Sequence, residues 1–402
     1  MNRRVFLVTA AAGVAGAQRG AEQPSGPVPE VIRNLKSMTE GIQPITAEER
    51  RGRIEKARRL MRENKLTAIV AESGSTLFYY TGTRQIGGAW ILPASGDPVW
   101  VVQEKQAAGL AGDVRPFAES EGPYKKMAQA LGNKRIGIEE RVRFAVYDGL
   151  RKELPEAEFV SADPVTVGCR VIKSPAEIAL MQRANDITIA AYKAALSTLR
   201  EGMTQRDLSA NIAAAYRALG FQGFAMAIFG KYTAFPHGSV TPQQLREGDM
   251  VLIDDGCSVE GYQSDITRTT VFGKPTDRQR QVWDIERKAQ DAALAAAKPG
   301  ATCESVDAAA RKVITDAGFG PGYKVPGLPH RTGHGIGLDG HEWTNLVKGN
   351  KTRIEPGMVF SNEPTIAIYG EFGVRLEDCM YVTESGARMF TKQSPAIDQP
   401  FG

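Results

Sequence analysis

The chain has 402 residues, 42% hydrophobic and 24% charged. That is the composition of a soluble globular protein of roughly two or three domains, and it excludes wholesale disorder and a multi-pass membrane protein. Its 50 basic and 46 acidic residues leave a net charge of +4, with no basic run or aromatic-basic stripe to support nucleic-acid binding. Glycine is enriched at 42 residues, much of the excess lying after residue 220, which points to tight turns around a site.

Arg3 and Arg4 precede a mildly apolar stretch, Val8 to Gly16, that closes on the A-x-A pattern Ala15-Gly16-Ala17. Residues 1–17 therefore resemble a twin-arginine signal peptide, too short for the roughly 20 apolar residues of a bilayer span. The expectation is export to the periplasm with no stable membrane anchor, or a cytoplasmic location if the segment is not a signal. Residues 18–45 read as a linker or surface arm. Thr46-Ala-Glu-Glu49 is a capping box opening a helix to about Asn64. Thr67–Ala71 and Pro98–Val102 are strand candidates, followed by a helix over Tyr124–Leu131, a strand over Arg135–Ile138 and a helix over Phe144–Leu154. This alternation predicts a small α/β domain over 46–168, with no ligand cluster of its own and a role that is architectural or walls a pocket. Cys169, Cys257, Cys303 and Cys379 form no C-x-x-C pair and read as small buried apolar residues.

The remaining domain, 169–398, opens with a second capping box, Ser174-Pro-Ala-Glu177, and a long helix to about Arg200. Further helices are expected over Thr204–Leu219, Thr276–Ala297 and Cys303–Ala317. Two helix pairs, each followed by Gly-punctuated strands, suggest an internal pseudo-repeat. All four histidines of the chain, His237, His330, His334 and His341, fall in this half beside Asp254, Asp265, Glu363 and Glu377. A hairpin turning near Gly256–Gly261 would bring Asp254 and Asp265 together across its ladder. Met358–Tyr369 and Val374–Thr383 would do the same for Glu363 and Glu377. The glycines of His330-Arg-Thr-Gly-His334-Gly-Ile-Gly337 argue against a helix, and an extended strand places both histidines on one face. Two Asp, two Glu and at least one His thus converge. Four clustered carboxylates repel unless cations compensate them, and two divalent ions would. Oxygen-rich ligation with one imidazole suits Mn²⁺, Co²⁺ or Fe²⁺. Paired metals ~3.5–4 Å apart activate water and polarise a carbonyl, which is hydrolytic chemistry. Each residue alone has an ordinary explanation: an Asp after an apolar strand is usually a turn or cap residue. The combination does not.

At Tyr262-Gln-Ser-Asp265-Ile-Thr-Arg-Thr269, Gly333-His334-Gly-Ile-Gly-Leu-Asp-Gly-His341-Glu342 and Glu355-Pro-Gly-Met358, the sequence resembles the pita-bread metallopeptidases, the family of methionine aminopeptidase, aminopeptidase P and prolidase. The resemblance covers about Ser174 to Pro395, and the first half is similar to the N-terminal domain of the aminopeptidase P, prolidase and creatinase branch. It implies an α/β (α+β) fold: a creatinase-like α/β domain, then a pita-bread domain of pseudo-twofold helix pairs packed on a curved antiparallel sheet. It also implies roles. Asp254 would chelate one ion and His334 with Glu363 the other, with Asp265 and Glu377 bridging. Glu363 would serve as general base, His237 and His341 would hold substrate and stabilise the tetrahedral intermediate, His330 would lie near the prolyl residue, and Arg375 would orient the carboxylates. The implied cofactors are two divalent ions, Mn²⁺ foremost, with Co²⁺, Fe²⁺ or Zn²⁺ possible. The implied partners are proline-containing peptides and further copies of the chain in a homodimer or larger homo-oligomer. The implied activity is hydrolysis of the bond between an N-terminal residue and proline, in dipeptides or longer peptides. Alternatives are a non-prolyl amidase or organophosphate esterase on the same scaffold, or a non-catalytic peptide- or metal-binding protein. A free-carboxylate anchor, expected in Val347-Lys-Gly-Asn-Lys-Thr-Arg353-Ile-Glu-Pro356, is not assignable among its three cations.

Overall fold

The computed structural model describes residues 26–110 and 112–402, so the signal reading of residues 1–17 lies outside the described residues. The arm carries one short helix, α1 (Glu30–Arg33), and lies along the second half: the Met38 N–H donates to the Leu219 carbonyl at 2.9 Å, and Ile32 and Ile45 are buried. Helix α2 (Ala47–Glu63) starts at Thr46, whose hydroxyl accepts the Glu49 N–H at 3.1 Å. The reciprocal arm of the expected box is not formed. The Glu49 carboxylate instead accepts from Arg53 at 2.9 Å and from Ser174 at 2.7 Å, tying α2 to the second half.

Six strands, β1 (Ala68–Ser73), β2 (Gln85–Pro93), β3 (Val99–Gln103), β4 (Asp113–Phe117), β5 (Arg135–Ile138) and β6 (Glu158–Ser161), make one mixed sheet in the order β4-β3-β2-β1-β5-β6. Helices α3 (Gly74–Thr81) and α4 (Tyr124–Leu131) lie on it, α5 (Phe144–Glu153) packs on α4, and α6 (Asp163–Arg170) packs on α2. The sequence reading missed α3 and β2. The first is only two turns long, and the second contains Gly87-Gly88, which weaken a strand's signal.

In the second half α7 (Pro175–Leu196) pairs with α8 (Gln205–Leu219), and α9 (Asp277–Ala296) with α10 (Cys303–Asp316). Complete capping boxes open α7, α8 and α9 at Ser174/Glu177, Thr204/Asp207 and Thr276/Gln279. Strands β7 (Met226–Phe229), β8 (Met250–Asp254) and β11 (Arg268–Val271) form an antiparallel sheet in the order β11-β8-β7, while β9 (Ser258–Val259) and β10 (Tyr262–Gln263) form a small ladder at the hairpin tip. After the second helix pair, β12 (Gly333–Gly335), β13 (Glu342–Leu346), β14 (Val359–Asn362), β17 (Asp378–Thr383) and β18 (Gly386–Met389) form a five-stranded antiparallel sheet. Strands β15 (Thr365–Ile368) and β16 (Phe372–Arg375) pair separately. Met358–Tyr369 and Val374–Thr383 are therefore each broken, at Glu363-Pro364 and at Leu376-Glu377, and not continuous strands as the sequence suggested. Proline has no N–H for the ladder, which accounts for the first break.

The two halves share one apolar core, in which Met61 and Tyr79 meet Leu180, Tyr192 and Tyr262. Inside it Arg53 donates to the Tyr79 carbonyl at 2.8 Å and to the Tyr262 hydroxyl at 2.9 Å, and Tyr262 donates to Glu177 at 2.8 Å. All four cysteines are buried and unpaired. Among the described residues no helix is long and apolar enough to cross a membrane.

Gly256 lies between β8 and β9, two residues past Asp254, and a Cβ there would overlap the carbonyl of Ser264 on the returning arm of the hairpin. Gly256→Ala should lower unfolding free energy by about 1–3 kcal/mol, the usual cost of overpacking. Urea unfolding of the two proteins measures it.

Candidate metal centre and active site

Each acidic residue of the site stands where a ladder ends or pauses. Asp254 closes β8, Asp265 lies between β10 and β11, Glu363 between β14 and β15, and Glu377 between β16 and β17. His334 is the middle residue of β12, squeezed so tightly against β14 that a Cβ on its neighbour Gly333 would overlap the Ser361 carbonyl. These side chains come together. Ligand-capable atoms of Asp254, Asp265 and Glu377 lie within 4.8 Å of one another, and so do those of His334, Glu363 and Glu377 and those of Asp265, His334 and His341. His334 Nε2 is 3.3 Å from Glu363 Oε1 and 3.7 Å from Asp265 Oδ2.

Hydrogen bonds fix the ring tautomers. His334 Nδ1 is 3.0 Å from the Gly335 carbonyl, which can only accept, so Nδ1 carries the proton and the Nε2 lone pair faces the acids. His330 Nδ1 likewise donates to the Arg331 carbonyl at 2.7 Å, leaving Nε2 to accept from the Thr365 hydroxyl at 3.0 Å. His341 Nδ1 lies 3.3 Å from Arg331 Nη2, and a guanidinium only donates, so His341 is protonated on Nε2. Burial holds His330 down to about 3 and His334 well below the usual imidazole range. His237 is exposed at the cavity edge.

Arg375 is buried behind the acids, ion-paired with Asp254 and donating to the Pro236 carbonyl at 3.2 Å and the Thr267 hydroxyl at 3.0 Å. Thr267, which sequence reasoning did not single out, has its hydroxyl 2.6 Å from Asp254 Oδ1 and 2.7 Å from Glu377 Oε2. A hydroxyl has one proton, so it binds only one of two ionised carboxylates at a time. No spacing rule flags a threonine, and only its place between two acids could have done so. Burial raises Asp265 and Glu377 well above the ordinary carboxylate range, with repulsion from neighbouring acids adding to it, and Glu363 is pushed up to about 7, burial first and Asp254 adding. Glu377 Oε1 is buried with no hydrogen-bond partner among the described residues. An orphaned carboxylate oxygen, an outward imidazole lone pair and a surplus of negative charge fit divalent cations.

The cluster lines a cavity of about 2370 Å³ that is also lined by Glu72, Arg84, Arg141 and Arg143 of the first half. His237, His330, Arg331 and His341 stand around it. Lys348, Lys351 and Arg353 do not line it: Lys348 is exposed, Lys351 pairs with Glu304, and Arg353 donates to the Gly300 carbonyl at 2.7 Å.

Residues 179–384 match the model of metallopeptidase family M24, and residues 53–172 match the creatinase/prolidase N-terminal domain. The chain is 31% identical to a protein of Pyrococcus furiosus named Xaa-Pro dipeptidase, over 85% of this chain and 97% of that one. Among solved structures, dipeptidase PepE from Mycobacterium ulcerans superposes with a TM-score of 0.80 at 32% identity, covering 87% of this chain and 97% of that one. The prolidase from Pyrococcus furiosus superposes at 0.73 with 30% identity, covering 83% and 99%.

The proton balance of the acids predicts a pH effect. Above about pH 7 the unfolded chain has ionised its carboxyls and largely neutralised its histidines, while burial in the cation-free fold raises the proton affinities of Asp265 and Glu377 and pushes Glu363 up to about 7. The unfolded state then binds fewer protons, so stability falls as pH rises. Chelated protein should melt at a lower temperature at pH 8 than at pH 6.5, and saturating Mn²⁺ should remove that drop. Thermal unfolding across the range, with and without metal, checks both.

Proposed function

The chain belongs to metallopeptidase family M24, and from that premise we infer that it hydrolyses the bond between an N-terminal residue and proline in dipeptides and longer peptides. The observation that carries this reading is the meeting of Asp254, Asp265, His334, Glu363 and Glu377 on the floor of one cavity. Asp254 would hold one divalent cation, His334 and Glu363 a second, and Asp265 with Glu377 would serve both. Such a pair lowers the pKa of water and polarises the scissile carbonyl. The single imidazole among four carboxylates supports Mn²⁺ over softer ions.

The chain's own residues supply the rest. Glu363 stands among the ligands at the floor of the cavity, where its carboxylate can take the proton of the attacking water and pass it to the leaving nitrogen. That transfer matters for proline, whose nitrogen carries no hydrogen of its own in the bond. His341, protonated on Nε2, donates to the carbonyl oxygen as charge develops there. His237 would hold the substrate and His330 would lie near the prolyl residue, and Arg375 with Thr267 keeps Asp254 in place. The cavity exceeds the roughly 300–1,000 Å³ of small-ligand pockets, which supports acceptance of chains longer than two residues. The Arg3-Arg4 pair supports the periplasm as the place of action.

Mn²⁺-loaded protein should cleave both Ala-Pro and Ala-Pro-Ala, lose activity to a chelator and regain it with metal. Absence of cleavage on every X-Pro peptide would overturn the reading. Glu363→Ala should lose at least about 10²-fold in kcat, the usual scale of acid-base contributions, with an unchanged circular-dichroism spectrum. Asp265→Ala should lose both turnover and one equivalent of bound metal.

A further inference from the structure

The loop from Gly337 to His341 joins β12, which carries His334, to β13, and it is gripped from outside its own domain. Asp339 takes Arg170 Nη2 at 2.7 Å, Arg141 Nη2 at 3.2 Å and the Ser75 hydroxyl at 2.7 Å. Glu342 is paired with the same Arg170 and with Lys173 Nζ at 3.0 Å. Its Oε1 also accepts the N–H groups of Leu338 and Asp339 at 2.9 and 3.2 Å, so the carboxylate braces the loop from below. Arg170 ends α6 and falls within residues 53–172, which match the creatinase/prolidase N-terminal domain, so it belongs with Ser75 and Arg141 to the first half although the sequence pattern sets the start of the second domain at 169. Arg170 and Glu342 keep only 11% and 6% of their side-chain surface, so water cannot stand in for either partner. His341 itself is exposed, and among the described residues its ring makes one hydrogen bond, to Arg331. The ring also packs against that of His334, centroids 4.0 Å apart, so its direction is set by the backbone that bears it together with these two neighbours.

We propose that the N-terminal domain is a positioning element for the reaction, with Arg170 holding the Gly337–His341 loop through Asp339 and Glu342 so that the His341 imidazole faces the carbonyl oxygen. The idea rests on the Xaa-Pro hydrolase reading for its catalytic consequence, but its structural content is independent of any substrate. Arg170 is a positioning residue: it touches neither substrate nor the acidic cluster, and its effect passes through a loop. A purely structural ion pair predicts something else, a loss of stability with His341 unaffected.

The test is a double-mutant cycle with a spectroscopic arm. His341→Ala should lower kcat about 10²-fold, the scale of removing one oxyanion donor, and Arg170→Met about tenfold with KM within about twofold. The Arg170→Met/His341→Ala protein should be no slower than His341→Ala alone, because the second change removes only what acted through the first. Asp339→Asn, which keeps the shape of the side chain and loses its charge, repeats the cycle should Arg170→Met fail to fold. The chain has four histidines, so four imidazole signals are expected from zinc-loaded, histidine-labelled protein. In either variant the His341 signal should move while that of His237 stays. Multiplying rate losses in the double variant, or an unmoved His341 signal, would overturn the proposal. An inactive wild type whose His341 signal still moves would count against the substrate reading and leave the positioning role standing.

Discussion

Four carboxylates crowded at the floor of one cavity repel one another, and most of the second half is organised around tolerating that repulsion. Among the described residues Arg375 is the permanent cation ion-paired within the cluster, and its partner is one acid, Asp254. One positive charge against four negative ones leaves a deficit that protons or metal ions must fill. Burial first, and repulsion among the acids after it, raises the proton affinities of Asp265, Glu363 and Glu377 in the absence of cations. Two divalent ions fill it with charge to spare for an anionic oxygen, which is why a site costly to build is also one that hydrolyses.

The placement follows from interrupted ladders. A residue inside a continuous strand points along one face with its neighbours two apart, so acids on separate strands meet only where their pleats coincide. Breaking the strand frees the side chain from that rule. Glu363 and Glu377 occupy such breaks, and their flanking strands exchange partners there, β14 pairing with β17 and β15 with β16. The gap between β10 and β11 does the same for Asp265. Asp265, Glu363 and Glu377 project from these cuts, Asp254 closes its strand, and His334 stands within one.

Much of this was legible in the sequence, and the misses have physical causes. Tyr124–Leu131 and Arg135–Ile138 fall on their predicted residues because each is a short apolar pattern bounded by Gly or charge. Ser174 and Glu177 form the complete box their spacing announces, whereas Thr46 and Glu49 form half of one, since Glu49 finds stronger partners in Arg53 and Ser174 from elements distant in sequence. Five acid and imidazole residues in the second half were visible as a set because four histidines in such a long chain are sparse. The strand breaks at Glu363 and Glu377 were not: Pro364 marks the first only once the ladder is seen, and the second, in Arg375-Leu-Glu-Asp378, has no breaker residue and depends on which strands pair. Thr267 and Arg170 were not visible either: their importance lies in which carboxylates they meet, and local pattern carries no such information.

The histidines explain why proton traffic falls to a carboxylate. His330 and His334 have each committed Nδ1 to a backbone carbonyl and are held neutral by burial, and His341 has committed Nδ1 to a guanidinium. Rings locked in one tautomer can accept a cation, grip a substrate or donate a single hydrogen bond, but none is placed to shuttle a proton near neutrality. Among the ligand acids of the floor, Glu363 is pushed up to about 7 by burial, near the operating range, and burial raises Asp265 and Glu377 as well. Bound cations would draw its affinity down again, so it would hold a proton briefly and release it readily. That is the behaviour required of a group that takes a proton from water and must deliver it to a prolyl nitrogen within one turnover.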